Sequence, residues 1–289
     1  MQEKDQKKAF IYGGIAVAAW STVATAFKIC LRYMSPEMML FLSAVFSTII
    51  LLAVNISQKK FSHFLRQSWK DYLRSALLGS LNPFIYYLIL FEAYSRLPAQ
   101  LAQPLNYTWP IVLMLLAAPI LKQPITLRNI LAVLISFAGV ILISTEGRIF
   151  AMQIDDPSGV GLAVGSSVFW ALFWLLNVRD RRDESVKLLT NFIFGSIYIT
   201  IYMFITGLLK LPEPEGIAAA FYVGMFEMGI TFVFWMKAMS YAESSAKVGN
   251  LIYLSPFLSL ILIHYVLGEN ILISTIFGLV FVVTGIIVQ

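Results

Sequence analysis

Ala93-Tyr94-Ser95, Tyr107-Thr108-Trp109-Pro110 and Gly139-Val140-Ile141 close the first half of this chain. Ala238-Met239-Ser240, Tyr253-Leu254-Ser255-Pro256 and Gly285-Ile286-Ile287 close the second. The first block returns after 145 residues and the other two after 146, so a one-residue gap in the connecting turn keeps all three in register. Both copies are strings of apolar segments, which predicts one repeat over residues 1–150 and another over 151–289. Five helices per copy is an odd number, so the second copy enters a bilayer upside down. Inverted repeats let many carriers expose one central site alternately to both sides of a membrane. The repeat therefore points toward transport.

Composition agrees. The 289 residues are 59% hydrophobic and 13% charged, with mean hydropathy +0.79, whereas a soluble domain carries about 25% charged residues. Apolar runs cover 10–31, 37–56, 73–94, 99–121, 127–144, 159–178, 186–209, 216–241, 243–266 and 271–288. Each is close to the roughly 17–25 residues that a helix needs to cross the hydrocarbon core. A closed barrel is the only other spanning solution, and these runs are too continuously apolar to alternate lumen and lipid faces. The expected fold is an all-α membrane protein of ten transmembrane helices, arranged as two inverted five-helix repeats.

The net charge of +5 has a topological explanation. With the N-terminus inside, the inner loops hold 15 Lys and Arg, among them Lys7, Lys8, Lys59, Lys60, Arg66, Lys70, Arg74, Arg181 and Arg182. The outer loops hold 4: Arg32, Arg96, Arg148 and Lys210. This asymmetry predicts cytoplasmic termini, with no nucleic-acid partner. The first span is longer than a signal-peptide core and lacks a small-residue cleavage site after it, so it reads as an uncleaved helix. A single cysteine, Cys30, leaves no internal disulfide and no cysteine-based metal cluster. The 57–72 loop is amphipathic, as a segment lying along the inner surface would be.

Charges inside a membrane are costly and mark pathways, at about 2.5–3.5 kcal/mol each on the insertion scale. Glu92 and Glu227 are the glutamates taken to lie within the spans, and Lys28 and Lys237 the basic residues. Glu227 lies about 11 residues into the eighth span, near the bilayer centre. It suits a proton-coupling carboxylate, neutralised by protonation for the return step; a locally paired structural glutamate is the alternative. Glu92 precedes Arg96 by four residues, which places a gate pair or an interfacial ion pair on one helical face. Lys28 and Lys237 lie near span ends, where each stem reaches the surface by snorkelling or meets a substrate carboxylate or gate partner.

Gln100, Gln103, Asn106 and Tyr107 follow helical spacing around Pro104 and Pro110, and Asn250 and Tyr253 precede Pro256. Proline interrupts helices, and interruptions at matching places in two halves point to a binding site. The competing reading is that these amides join helices to one another. Trp20 and Trp170, also repeat mates, sit mid-helix and would either wall a cavity that stacks on aromatic or cationic solutes or pack the core. Asn82, Tyr86, Asn177 and Asn191 are weaker candidates, while Gly139, Gly278 and Gly285 suit close packing of the fifth and tenth helices. Enzyme chemistry finds little support. There is no Gly-x-Ser-x-Gly, His-Glu-x-x-His or phosphate-cradling glycine loop, and His63 and His264 lie in different regions. No cofactor is expected.

Four stretches carry a family resemblance: Ala19-Trp20-Ser21-Thr22, Asn106-Tyr107-Thr108-Trp109-Pro110, Leu254-Ser255-Pro256-Phe257 and Leu267-Gly268-Glu269, with Phe169-Trp170-Ala171 as the counterpart of the Trp20 block. Across essentially the whole chain they resemble the drug/metabolite transporter (DMT) superfamily, specifically its ten-helix EamA-type members. The Trp-Ser-Thr and Asn-Tyr-x-Trp-Pro stretches look most like the bacterial exporters of amino acids, aromatic ones included. The resemblance implies helices 1, 3, 4, 6, 8 and 9 around a cavity, with 2, 5, 7 and 10 peripheral. It implies export of a small metabolite, an amino acid or related compound, across a bacterial inner membrane, with protons as a further partner if Glu227 couples. The alternatives are efflux of toxic cations and, in a different class, a lipid-linked-intermediate flippase or a membrane sensor. One departure stands out: Gly268-Glu269 before helix 10, which suits a cap for that helix, is replaced in the first half by Lys122-Gln123.

Overall fold

The computed structural model describes residues 5–121, 125–148, 154–178, 180–210, 212–242, 248 and 250–288. Lys122 and Gln123 lie outside the described residues. Every regular element among the described residues is helical. Among the described residues, eight helices are long and apolar enough to cross a membrane, and two shorter apolar ones, Leu251–Leu267 and Ile273–Val288, follow them. The chain is a multi-pass membrane protein.

Local sequence sets the helix starts. Asp5 accepts the Lys8 N–H at the start of α1 (Gln6–Cys30), and Ser35 accepts the Met38 N–H at the start of α2 (Pro36–Ser57), where Pro36 has no donor to lose. After the short α3 (Phe61–Leu65), Ser68 and Asp71 form a reciprocal capping box that starts α4 (Trp69–Gly79). There follow α5 (Tyr86–Arg96), α6 (Ala99–Asn106), α7 (Trp109–Leu121), α8 (Leu127–Ser144) and α9 (Pro157–Val178). Next come α10 (Glu184–Thr206), α11 (Pro214–Phe226), α12 (Ile230–Tyr241), α13 (Ser255–Leu262) and α14 (Ile273–Val288). The Asp183 carboxylate caps α10 by accepting from Ser185 N and Val186 N. Burial works against its ionisation, but hydrogen bonds from Lys60 and Ser185 hold it below the usual carboxylate range.

The third, fourth and eighth runs, which read as single spans in the sequence, are broken, and the ninth leaves α-helical geometry at the place that matches the fourth. The third run leaves α-helical geometry over Ser80–Ile85, where Asn82 is extended (φ −148°, ψ 120°). The eighth run breaks between α11 and α12 at residues 227–229, where Gly229 takes φ −111° and ψ −103°. Asn82 and Glu227, one at each break, are separated by the same 145 residues as Ala93 and Ala238. The fourth run breaks at Tyr107 and Thr108, between α6 and α7. Within the ninth, Asn250–Leu254 is wound as a tighter 3-10 helix that leads directly into α13. Tyr107 and Tyr253, repeat mates, mark this second pair. Proline lacks a backbone donor, and Pro83, Pro110 and Pro256 lie at or just after three of these departures.

The structure divides into two compact units, each drawing on both sequence halves. One comprises Met1–Phe84 and Arg181–Leu262. In it α1 packs on α11, α12 and α13, while α2 packs on α10 and α11, and α4 packs on α10. Glycines bring backbones together here. A Cβ on Gly224 would stand 2.5 Å from the Ser43 carbonyl oxygen, and one on Gly79 would collide with that of Asn191. Gly79 and Gly224 are again 145 residues apart.

The other unit comprises Ile85–Asp180 and Ile263–Gln289. Its α9 packs on α5, α6 and α7, and α8 packs along α14. A Cβ on Gly139 would stand 2.5 Å from Gly278 O, and one on Gly285 would stand 2.6 Å from Ala132 O, the close packing that the glycines suggested.

Glu269 corrects one expectation. Its carboxylate does not cap the tenth helix; it accepts from Ala99 N (3.0 Å) and Gln100 N (3.1 Å), at the start of α6. Gln100 returns the favour by accepting from Leu272 N (2.9 Å) just before α14 and donating to Asn270 O (2.9 Å). A negative group at a helix N-terminus satisfies free donors and complements the dipole. Glu269→Ala is therefore expected to lower stability by about 1–2 kcal/mol, read as a lower melting temperature in detergent, with Glu269→Gln losing less. Equal melting of all three proteins would remove this cap from the account.

Candidate functional site

Two polar-aromatic clusters form, one in each unit. The first is built on the break in the eighth run. Glu227 follows the last residue of α11, and its N–H donates to Val223 O (2.9 Å). Its carbonyl accepts from the Trp20 indole N–H at 3.4 Å. The Trp20 ring stands edge-on to Phe232 (5.6 Å between centroids) and 5.4 Å from Trp235. On the preceding turn the Tyr222 and Thr22 hydroxyls share a hydrogen bond of 2.7 Å, and Tyr222 lies 4.6 Å from Phe226. Glu227 and Trp20 are both half-buried. Glu227 thus joins an aromatic cluster through its backbone, and aromatic faces of this kind suit an organic cation. Gly229 permits the break: a Cβ there would stand 2.8 Å from Gly224 O and 3.0 Å from Met225 O.

The second cluster centres on Trp170 of α9. Tyr86 lies 4.7 Å from it, Trp174 5.9 Å, and Trp109 meets it edge-on at 6.4 Å. The Tyr86 hydroxyl donates to Asn106 Oδ1 (3.2 Å), and Asn106 Nδ2 donates to Ser166 Oγ (2.8 Å). This chain orients the last residue of α6 next to the break at Tyr107. Gln103 is buried, and its Oε1 has no hydrogen-bond partner among the described residues. A buried polar atom without a partner among the described residues on α6, the helix that ends at Asn106, suits a ligand that carries both apolar and polar parts.

Chain segments 7–145 and 157–289 each match the EamA-like transporter family. The chain belongs to the EamA-like transporter family. Within the DMT superfamily its relatives include an uncharacterized transporter of Bacillus subtilis, YvbV, 24% identical over 99% of this chain and 92% of the relative. The aromatic amino acid exporter YddG of Ancylobacter novellus is 24% identical over 89% of this chain and 88% of its own length. A solved crystal structure superimposes with TM-score 0.69 over 98% of this chain and 96% of the other at 20% identity, a likeness of fold. The family and its named relatives are transporters rather than enzymes.

Against this family frame the candidate residues separate. Trp20 and Glu227 come together in one cluster, and Asn106 and Trp170 in the other. Tyr107 and Tyr253 are half-buried where their runs leave α-helical geometry. Asn250 opens the tighter helix that contains Tyr253, and its side chain lies outside the described residues. Glu92 and Arg96 form an ion pair (2.7 Å) at the end of α5, where Arg96 also donates to Ser158 (3.3 Å). Lys237 is exposed, with Nζ 5.5 Å from the Tyr12 ring centroid. Lys28 is half-buried in the last turn of α1, where a cation complements the helix dipole. Sequence reasoning passed over Tyr222, Trp235 and Ser166, which carry no motif. Trp109 was legible, because it stands inside the repeated Tyr-x-x-Pro block.

Proposed function

We propose that this chain is a secondary carrier that exports small metabolites, amino acids first, across a bacterial inner membrane by alternating access. The proposal includes ten membrane-crossing helices in two inverted repeats (1–150 and 151–289), cytoplasmic termini, and Glu227 as the group through which protons couple. One observation carries it: the third and eighth runs break at repeat-matched positions that bear Asn82 and Glu227, and the fourth and ninth leave α-helical geometry at Tyr107 and Tyr253. Interrupted helices at corresponding positions of two halves are the usual pointer to a carrier's binding site. Trp20, Lys28, Gln103, Asn106, Tyr107, Trp170, Asn250 and Tyr253 would line the substrate path, with Glu92, Arg96 and Lys237 at its ends. The aromatic amino acid exporter among the relatives supports the choice of substrate class.

A second reading, efflux of organic cations, is favoured by the aromatic rings around Trp20 beside Glu227. Proteoliposomes separate the two. Saturable uptake of labelled aromatic amino acids, accelerated by an imposed pH gradient, is the expected result. Uptake of tetraphenylphosphonium with no amino-acid flux would replace it with the cation reading.

A further inference from the structure

Asn82 and Asn191 are both fully buried, and the side-chain oxygen and nitrogen of each have no hydrogen-bond partner among the described residues. Buried polar groups are nearly always paired, and an exception calls for a water or an ion to complete it. The two residues flank one contact between the end of α4 and α10. Gly79, three residues before Asn82, meets the backbone oxygen of Asn191, and the ring of Pro83, next to Asn82, meets Gly195, one turn beyond Asn191. At Asn82 the backbone leaves the helix, which turns peptide groups out of the helical ladder.

We propose that Asn82 and Asn191, with carbonyl oxygens of the Ser80–Ile85 break, bind a small monovalent cation of the sodium class. The chemistry of the donors selects it. Gly79, Asn82, Pro83, Asn191 and Gly195 offer neutral oxygens without carboxylate, thiolate or imidazole. Calcium and magnesium sites recruit carboxylates, and transition metals prefer nitrogen or sulfur. Unwound carbonyls of interrupted helices are the usual ligands of sodium in carriers. Waters that complete the coordination shell accept from the two Nδ2 groups. The equivalent break in the second half carries Glu227 where this one carries Asn82, so the two breaks would differ in the cation they attract.

Binding of radiolabelled sodium to the purified full chain in detergent tests this. The binding is read at equilibrium without any flux, so its outcome does not depend on what the protein transports. The expected result is saturable binding displaced by unlabelled sodium chloride but not by choline chloride at equal ionic strength. Asn191→Ala, which lies in a regular helix, is expected to bind about tenfold or more weakly while eluting as the same folded species. Asn82→Ala should match it; if that variant fails to fold, Asn191→Ala carries the test alone. Absence of saturable binding to the unaltered protein would mean that the amides hold water only. Undiminished binding to folded Asn191→Ala would equally overturn the site.

Discussion

Glu227→Gln is expected to leave the protein folded and to abolish the response of flux to an imposed pH gradient. Glutamine keeps the shape of the side chain and removes only its capacity to change charge. The backbone contacts at this position survive the exchange: the Trp20 indole donates to the backbone oxygen of residue 227, and the N–H of residue 227 donates to Val223 O. A mid-membrane carboxylate that carries a proton across must be charged in one state and neutral in another, and the amide is locked in the neutral one. Gradient-driven uptake should fall at least about tenfold, the rate equivalent of ~1.4 kcal/mol, while exchange of substrate across equal pH persists. Wild-type dependence on the gradient in this variant would remove Glu227 from coupling and leave it a structural residue at the break.

Gly79→Ala is expected to destabilise the protein despite exchanging glycine for a better helix former. At an open helical position the exchange stabilises by roughly 0.4–1 kcal/mol. At Gly79 the added carbon collides with the backbone oxygen of Asn191 and comes within 2.9 Å of the Gly195 nitrogen. Neither atom belongs to a flexible side chain, so two helices must separate, and overpacking of this kind costs about 1–3 kcal/mol. Gly14→Ala is the control, because nothing lies within 4 Å of a Cβ there. Thermal melting in detergent should place Gly79→Ala below the parent and Gly14→Ala at or above it. The same melting temperature for both variants would show that α4 and α10 are not held at backbone contact.

Much of the fold was legible because lipid enforces it. A segment without water to satisfy its backbone must be helical, so ten apolar runs already imply an all-helical chain. The repeat was legible because Tyr107 and Tyr253, or Gly139 and Gly285, keep their identity over a fixed interval. The breaks were only half legible. Pro110 and Pro256 announce interruption, whereas the eighth run gives way at Met228-Gly229, which carries no proline and reads as ordinary apolar helix. Of the candidate site, Trp20, Trp170 and Asn106 could be chosen by type and position. Their partners Tyr222, Trp235 and Ser166 could not, since each meets its cluster from another helix across a separation that no local pattern encodes. Glu269 shows the same limit, as its spacing suggests a cap for the helix that follows it, yet its acceptors face α6 from 170 residues away.

By itself the sequence determines that this chain lives in a membrane, that it is helical, and that its second half retells its first. Those properties follow from hydropathy and identity, which are summed along the chain and need no knowledge of neighbours. Only the tertiary structure decides where the helices break, which amides are left without partners among the described residues, and which helix end each carboxylate serves. These depend on contacts between segments distant in sequence, where a collision of one methyl group or the direction of one carbonyl selects among arrangements that hydropathy cannot tell apart.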